Sequence, residues 1–172
     1  MKEQTCCFTG HRKIPDQIRP DIQKRLEEEI TNLIHQGVTE FRAGGALGFD
    51  TMAALAVLKL KKMFTRIRLI LVLPCWEQPD KWSENDQKRY AIIRVQADEV
   101  VYTSWLYRHG CMHKRNRHLI GNSGICICYL TKAKGGTAYT VNYAKQKGVR
   151  VINLALDEKA FVIGGSPYGH PL

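Results

Sequence analysis

The residues best suited to chemistry in this chain are glycines. Gly44, Gly45 and Gly48 fall within Arg42 to Met52, reading RAGGALGFDTM, between the β-rich run Val38-Thr39-Glu40-Phe41 and the helix-forming run Ala53 to Leu60. Glycine there lets the backbone take positive φ, and the free N–H groups of the first helical turn face whatever occupies the corner. Such a corner suits an anion, most often a phosphate. Taken alone, a tight connection without a ligand is the competing reading. A second corner of the same kind, Lys134-Gly135-Gly136-Thr137, precedes the helix-forming stretch Ala138 to Lys145, with Thr137 expected as its N-cap. Two corners of strand, glycine and helix would open at one edge of a parallel sheet.

Other candidates surround these corners. Thr9-Gly10-His11-Arg12 ends a first apolar strand, where Gly10 would admit a close approach and His11 and Arg12 would offer donors or simply decorate a loop. Asp50, near the start of a helix, suits capping as well as contact with a ribose or metal. The most basic piece, Arg108 to His118 (RHGCMHKRNRH), carries three readings. His109, Cys111, His113 and His118 match no standard zinc spacing. A nucleic-acid surface is weakened by the lack of aromatics interleaved for stacking. A phosphate clamp on Arg115 and Asn116 at a helix start is preferred, because guanidinium groups grip oxyanions bidentately. Trp76 would serve as a lid over a base, or Trp76 and Trp82 together as anchors for their loop.

The elements that must position these groups alternate between strand and helix. Strands are expected at Gln4 to Phe8, Val38 to Phe41, Ile67 to Leu73, Glu99 to Thr103, Ile125 to Leu130 and Val149 to Leu156. Between the first two, Ile18, Ile22, Leu26, Ile30, Leu33 and Ile34 recur at mostly three- and four-residue steps, the pattern of an amphipathic helix, with Gly37 just past its end. Ser83 to Asp86 opens another helix, which runs through Val95. The pattern predicts a three-layer α/β domain with a mainly parallel sheet over residues 1–156, and a loosely packed Gly/Pro-rich tail at 157–172.

Length and composition limit the classes. With 172 residues, 44% of them apolar, the chain fits one domain with a real core. Its longest apolar run, Met52 to Leu58, is far short of the ~20 residues of a membrane span, and MKEQTCCFTG lacks the apolar centre of a signal peptide. A cytoplasmic protein is expected, with no membrane partner. The six cysteines, some inside β-like runs such as Cys126-Ile127-Cys128, read as reduced, buried thiols. A formal charge of +10 favours phosphorylated or polyanionic partners.

Phe8-Thr9-Gly10-His11-Arg12, Gly44-Gly45-Ala46-Leu47-Gly48-Phe49-Asp50, Arg115-Asn116-Arg117 with Asn122-Ser123, and Gly135-Gly136-Thr137-Ala138 together resemble the SLOG superfamily. That group joins the lonely-guy-type phosphoribohydrolases to DNA-processing protein A, and the chain is most similar to its small, single-domain YpsA-like branch, from about Thr5 to Leu154. The resemblance implies a Rossmann-like sheet with a nucleotide-type ligand at the glycine corners, no required cofactor, and a possible homodimer. Phosphoribohydrolase members carry a glutamate one helical turn after the second glycine motif. Here that turn holds Thr140, and no carboxylate lies between Gly135 and Gly148.

The expected function is therefore binding or sensing of a nucleotide or nucleotide-derived ligand, with Gly10, His11, Arg12, Gly44, Gly45, Gly48, Asp50, Arg115, Asn116, Gly135, Gly136 and Thr137 around it. The alternatives are hydrolysis of a nucleotide's glycosidic or phosphate bond, with His11 as acid or base, and binding of single-stranded DNA.

Overall fold

Neighbouring side chains in strand β1 (Thr5–Gly10) serve opposite layers: Cys6 and Phe8 join one apolar cluster and Cys7 the other. In the computed structural model, which describes residues 1–155, that alternation places a sheet between two sets of helices. Strands β2 (Glu40–Ala43), β3 (Arg68–Leu73), β4 (Glu99–Tyr102), β5 (Ile125–Tyr129) and β6 (Arg150–Asn153) complete it in the order β4-β3-β2-β1-β5-β6. Every neighbouring pair is parallel. The fold is Rossmann-like.

Helices α1 (Arg19–His35), α2 (Phe49–Lys61) and α3 (Glu84–Gln96) cover one face, where Ile22, Leu26, Ile30, Ala53, Val57 and Ile93 meet Phe8, Phe41 and Leu71. Helices α4 (Cys111–Gly121) and α5 (Gly136–Gln146) cover the other, packing Leu119, Ile120, Val141 and Ala144 on Cys7, Val72, Cys126 and Cys128. Burial of each large side chain, Leu26 for example, contributes roughly 1.5–3 kcal/mol. All six cysteines are buried free thiols. Among the described residues no helix is long and apolar enough to cross a membrane.

Several boundaries differ from those read in the sequence. β2 starts at Glu40 rather than Val38, because the Val38 amide donates to the Leu33 carbonyl at the end of α1 (3.0 Å). α4 begins at Cys111, after the left-handed Gly110 (φ 83°), so Arg115 and Asn116 stand a full turn inside the helix rather than at its start. The N-cap of α5 is Gly135, not Thr137, and no side chain caps that end. β6 stops at Asn153, whose carboxamide turns back to take the amides of Leu130 and Ala155. Ser83 caps α3 as expected, accepting from the Asp86 amide (3.2 Å). The expected tail at 157–172 lies outside the described residues.

The chain builds outward from β1 through β2 and β3 to β4, then returns to place β5 on the other side of β1. The order of strands therefore reverses between β1 and β5, and the crevice beyond their carboxyl ends is where open α/β sheets hold ligands.

Candidate functional site

Both glycine corners follow parallel strands and open at the same edge, with the end of β1 between them. The corner after β2 is filled by the protein itself. A Cβ built on Gly44 would stand 2.5 Å from Nη1 of Arg115 and 2.8 Å from Oδ2 of Asp50, and one on Gly45 (φ +71°) 2.5 Å from the Leu73 side chain. Gly48 (φ +79°) lies against the backbone carbonyl of Arg12, which leaves no room for a side chain. Gly10 is likewise closed off by Phe49, 2.5 Å from its Cβ position. These glycines let the loops after β1 and β2 interlock. The carbonyl of His11 takes the amide of Phe49 (3.1 Å), and Asp50 turns back to accept the amide of Ala46 (3.2 Å).

The corner after β5 is open. Gly135 (φ +111°) and Gly136 are exposed, and a Cβ at either would meet nothing within 4 Å. No side chain caps α5, and its first amides have no hydrogen-bond partner among the described residues. Thr140 sends its hydroxyl back to the Gly136 carbonyl (2.9 Å).

Between the corners, the loop after β1 borders a cleft of about 930 Å³ lined by His11, Arg12, Lys13, Arg19, Tyr129 and Lys132, among others, with Asp16 the carboxylate in its wall. His11 spans it: Nε2 accepts the amide of Thr131, at the end of β5 (2.9 Å), and the ring packs edge-on against Tyr129. An accepting Nε2 belongs to the neutral ring. Partial burial, then the charge of Lys132, pulls the His11 pKa below its ordinary value.

Arg115 is buried, and each nitrogen of its guanidinium is engaged within the chain. Nη1 donates to the Gly44 carbonyl, Nε to Oδ1 of Asn116 (2.7 Å), and Nη2 faces the sulfur of Met112 (3.9 Å). Asn116 thus orients the arginine. Burial raises the Asp50 carboxyl to about 6, against the opposing attraction of Arg115 and, more weakly, the Ala46 amide and Arg12. Burial also lowers the Arg115 pKa, with Asp50 opposing.

The structure thus gathers Gly10, His11, Arg12, Gly44, Gly45, Gly48 and Asp50 at the ends of β1 and β2, with Arg115 reaching them from α4. Gly135, Gly136 and Thr137 stand across β1 at the end of β5. Lys13, Arg19 and Lys132 join the cleft without having been singled out in the sequence. Lys132 was the legible one, since the run Thr131-Lys132-Ala133-Lys134 places two cations just ahead of a glycine corner. The two tryptophans divide. Trp82 packs edge-on against buried Tyr90, as an anchor does, whereas Trp76 is 49% exposed and stacks on Trp105.

The YpsA family model, described as the YspA SLOG family, matches residues 8–156. A UPF0398 protein of Halalkalibacterium halodurans is 33% identical over 129 residues, 73% of this chain and 68% of its own length. The SPbeta prophage-derived protein YoqJ of Bacillus subtilis is 29% identical over 139 residues, covering 71% of this chain and 81% of its own. Among solved structures, DNA processing protein A of Helicobacter pylori, described for its single-stranded DNA binding mode, superposes with a TM-score of 0.61 at 19% identity. The match covers 86% of this chain but 63% of that one. TM1055 superposes with a TM-score of 0.54 at 18% identity, over 86% and 71% of the two chains. At such identities the structural likeness is one of fold; the match of the family model across both glycine corners and the cleft between them shows that the chain belongs to the YpsA SLOG family.

Proposed function

We propose that this protein binds a nucleotide or nucleotide-derived ligand at the carboxyl edge of its sheet, with phosphate held between Arg12 and the open corner at Gly135 and Gly136. The observation that carries this reading is the cleft at the reversal of strand order, walled by His11, Arg12, Lys13, Arg19 and Lys132 and bordered by the loop that leads to α5. A phosphate there would meet these cationic side chains, with the N-terminal amides of α5 just beyond Lys132 as further donors. The corner after β2 plays a different part. Its Gly44 carbonyl is tied down by Arg115, whose buried charge adds positive potential beneath the site, and its interlock with the loop after β1 sets the position of Arg12.

Binding without turnover is supported by how the candidate acids and bases are used. Thr140 stands where the phosphoribohydrolases carry glutamate, and its hydroxyl is committed to the Gly136 carbonyl. Asp50 is buried against the Ala46 amide, and Nε2 of His11 is committed to Thr131. A phosphate-seeking role in the cytoplasm is in keeping with the DNA binding described for the Helicobacter pylori protein.

Thermal-shift and calorimetric titrations with nucleoside phosphates and the matching nucleosides test the reading. A ligand at about 100 times its Kd adds about 2.7 kcal/mol to stability. Nucleotides are expected to shift the melting temperature and nucleosides not to, and Arg12→Ala should weaken binding in a folded protein. Equal shifts from nucleosides, or unchanged affinity in the variant, would overturn it. Free base appearing during the titration would point instead to hydrolysis.

A further inference from the structure

A second surface lies two and three strands away from β1, where the loops after β3 and β4 meet. Trp76, Trp105, Leu106 and Tyr107 are 49, 66, 51 and 63% exposed there. They are not loose side chains. The Trp76 amide donates to the Trp105 carbonyl (3.1 Å), the two indoles stack with centroids 5.6 Å apart and planes 28° from parallel, and Tyr102 supports both rings. Arg94 lies over Trp76, 5.1 Å from its centroid. Beside this platform is a hollow of about 500 Å³ whose lining includes the cations Arg108 and Lys114, with no carboxylate among its lining residues. Lys114 is steadied by Ser104 (3.4 Å), and the nearby Glu77 is turned to the Tyr107 amide (3.4 Å).

We propose that this corner binds single-stranded nucleic acid, the bases stacking on the exposed indole of Trp105, which Trp76 backs, and the phosphates following Arg108, Lys114 and Arg94. An exposed aromatic patch of this kind marks an interaction site. Its chemistry selects the partner. Flat indole faces bordered by cations fit a polymer of aromatic bases and anionic linkers, and the face of a base is available only where the strand is single. The same basic segment, Arg108 to His118, carries no aromatic between its cations. The fold supplies Trp76 from another loop and sets it against Trp105 and Tyr102. The platform stands on the loops after β3 and β4 rather than on the loop after β1, although Arg12 and Tyr107 both line the hollow of about 460 Å³ between them.

Fluorescence anisotropy with a labelled oligothymidylate of about 12 nucleotides, and with a duplex of the same length, tests this on the full chain. The single strand should bind more tightly than the duplex, with log affinity falling linearly in log salt. Trp105→Ala should weaken binding at least about fivefold, the loss of one stacked base, and Trp105→Phe should restore most of it. Arg108→Ala with Lys114→Ala should lower the salt slope by roughly 1.4, two phosphate contacts on a single strand. Trp105→Ala should leave nucleotide affinity at the Arg12 cleft unchanged. The proposal is overturned if the single strand fails to bind at low salt, if the duplex binds as tightly, or if Trp105→Ala leaves binding intact.

Discussion

Arg115, a turn inside α4, donates through Nη1 to the carbonyl oxygen of Gly44 just past the end of β2, tying that helix to the edge of the sheet. Gly44 must be glycine for this bond to exist, since a Cβ would occupy the guanidinium's position. Replacing Arg115 by Met keeps the stem's bulk but orphans a buried carbonyl and leaves Asp50 without its main cationic neighbour. The expected loss is roughly 2–5 kcal/mol in urea unfolding. Arg115→Lys should cost part of that, because a point charge cannot serve Gly44 and Asn116 together as the fork does. A loss below about 1 kcal/mol for the Met variant would show that the contact does not hold the corner.

Asp50 should make stability fall as pH rises through the mildly acidic range. Burial lifts its carboxyl from 3.8 to about 6, so the folded state holds a proton that the unfolded chain has released. The stabilisation is complete below pH 3.8, is lost as pH rises through about 6, and is on the order of 3 kcal/mol. Asp50→Asn keeps an acceptor for the Ala46 amide but cannot ionise. In urea titrations from pH 4 to 7 the variant should gain on the parent as pH rises. A constant difference across that interval would contradict this account.

The glycine corners and the layered fold were legible because each rests on local pattern: apolar runs at strand or helix period, and glycine where helices begin. What the sequence could not convey is which side of a glycine faces protein. Gly44 and Gly136 read alike in one dimension, yet Arg115 reaches the first from a helix far along the chain, while the second faces open space. Arg115 looked like a ligand clamp for the same reason, since its exposure depends on a contact between residues distant in sequence. The aromatic platform was half visible. Trp105-Leu106-Tyr107 directly precedes the basic segment, but its partner Trp76 arrives only once β3 and β4 lie side by side.

His11 should titrate below its free value and lose its tie to β5 when protonated. The neutral ring accepts from Thr131 at Nε2; in the imidazolium that nitrogen becomes a donor and its N–H faces the Thr131 amide N–H. Because the folded pKa is lowered, the contribution to stability is full above about 6.5 and is lost as pH falls through the folded value. His118, lowered by burial and by Arg42, acts in the same direction. NMR titration of the histidine ring protons should place the His11 midpoint below 6.5, and Lys132→Ala should raise it by removing a like charge. A midpoint at or above 6.5 in the parent protein would rule out the bond to Thr131 as drawn.

The two glycine corners should respond oppositely to the same added methyl group. Gly48 combines φ +79° with contact against the Arg12 backbone, so Gly48→Ala meets both a strained backbone and a steric conflict that no side-chain rotation relieves. A loss of about 2–4 kcal/mol is expected, the sum of left-handed strain and overpacking. Gly136 begins α5 with open space at its Cβ position and no positive φ. Gly136→Ala should leave stability unchanged or raise it by up to about 1 kcal/mol, since alanine is the better helix former. Its effect belongs instead to the ligand: a methyl beside the first amides of α5 crowds a bound phosphate, and nucleotide affinity should drop about tenfold or more, a cost of about 1.4 kcal/mol. Parallel urea unfolding and nucleotide titration of the two variants separate the roles. Unaltered nucleotide affinity in Gly136→Ala would remove the α5 corner from the site, whatever the behaviour of Gly48→Ala.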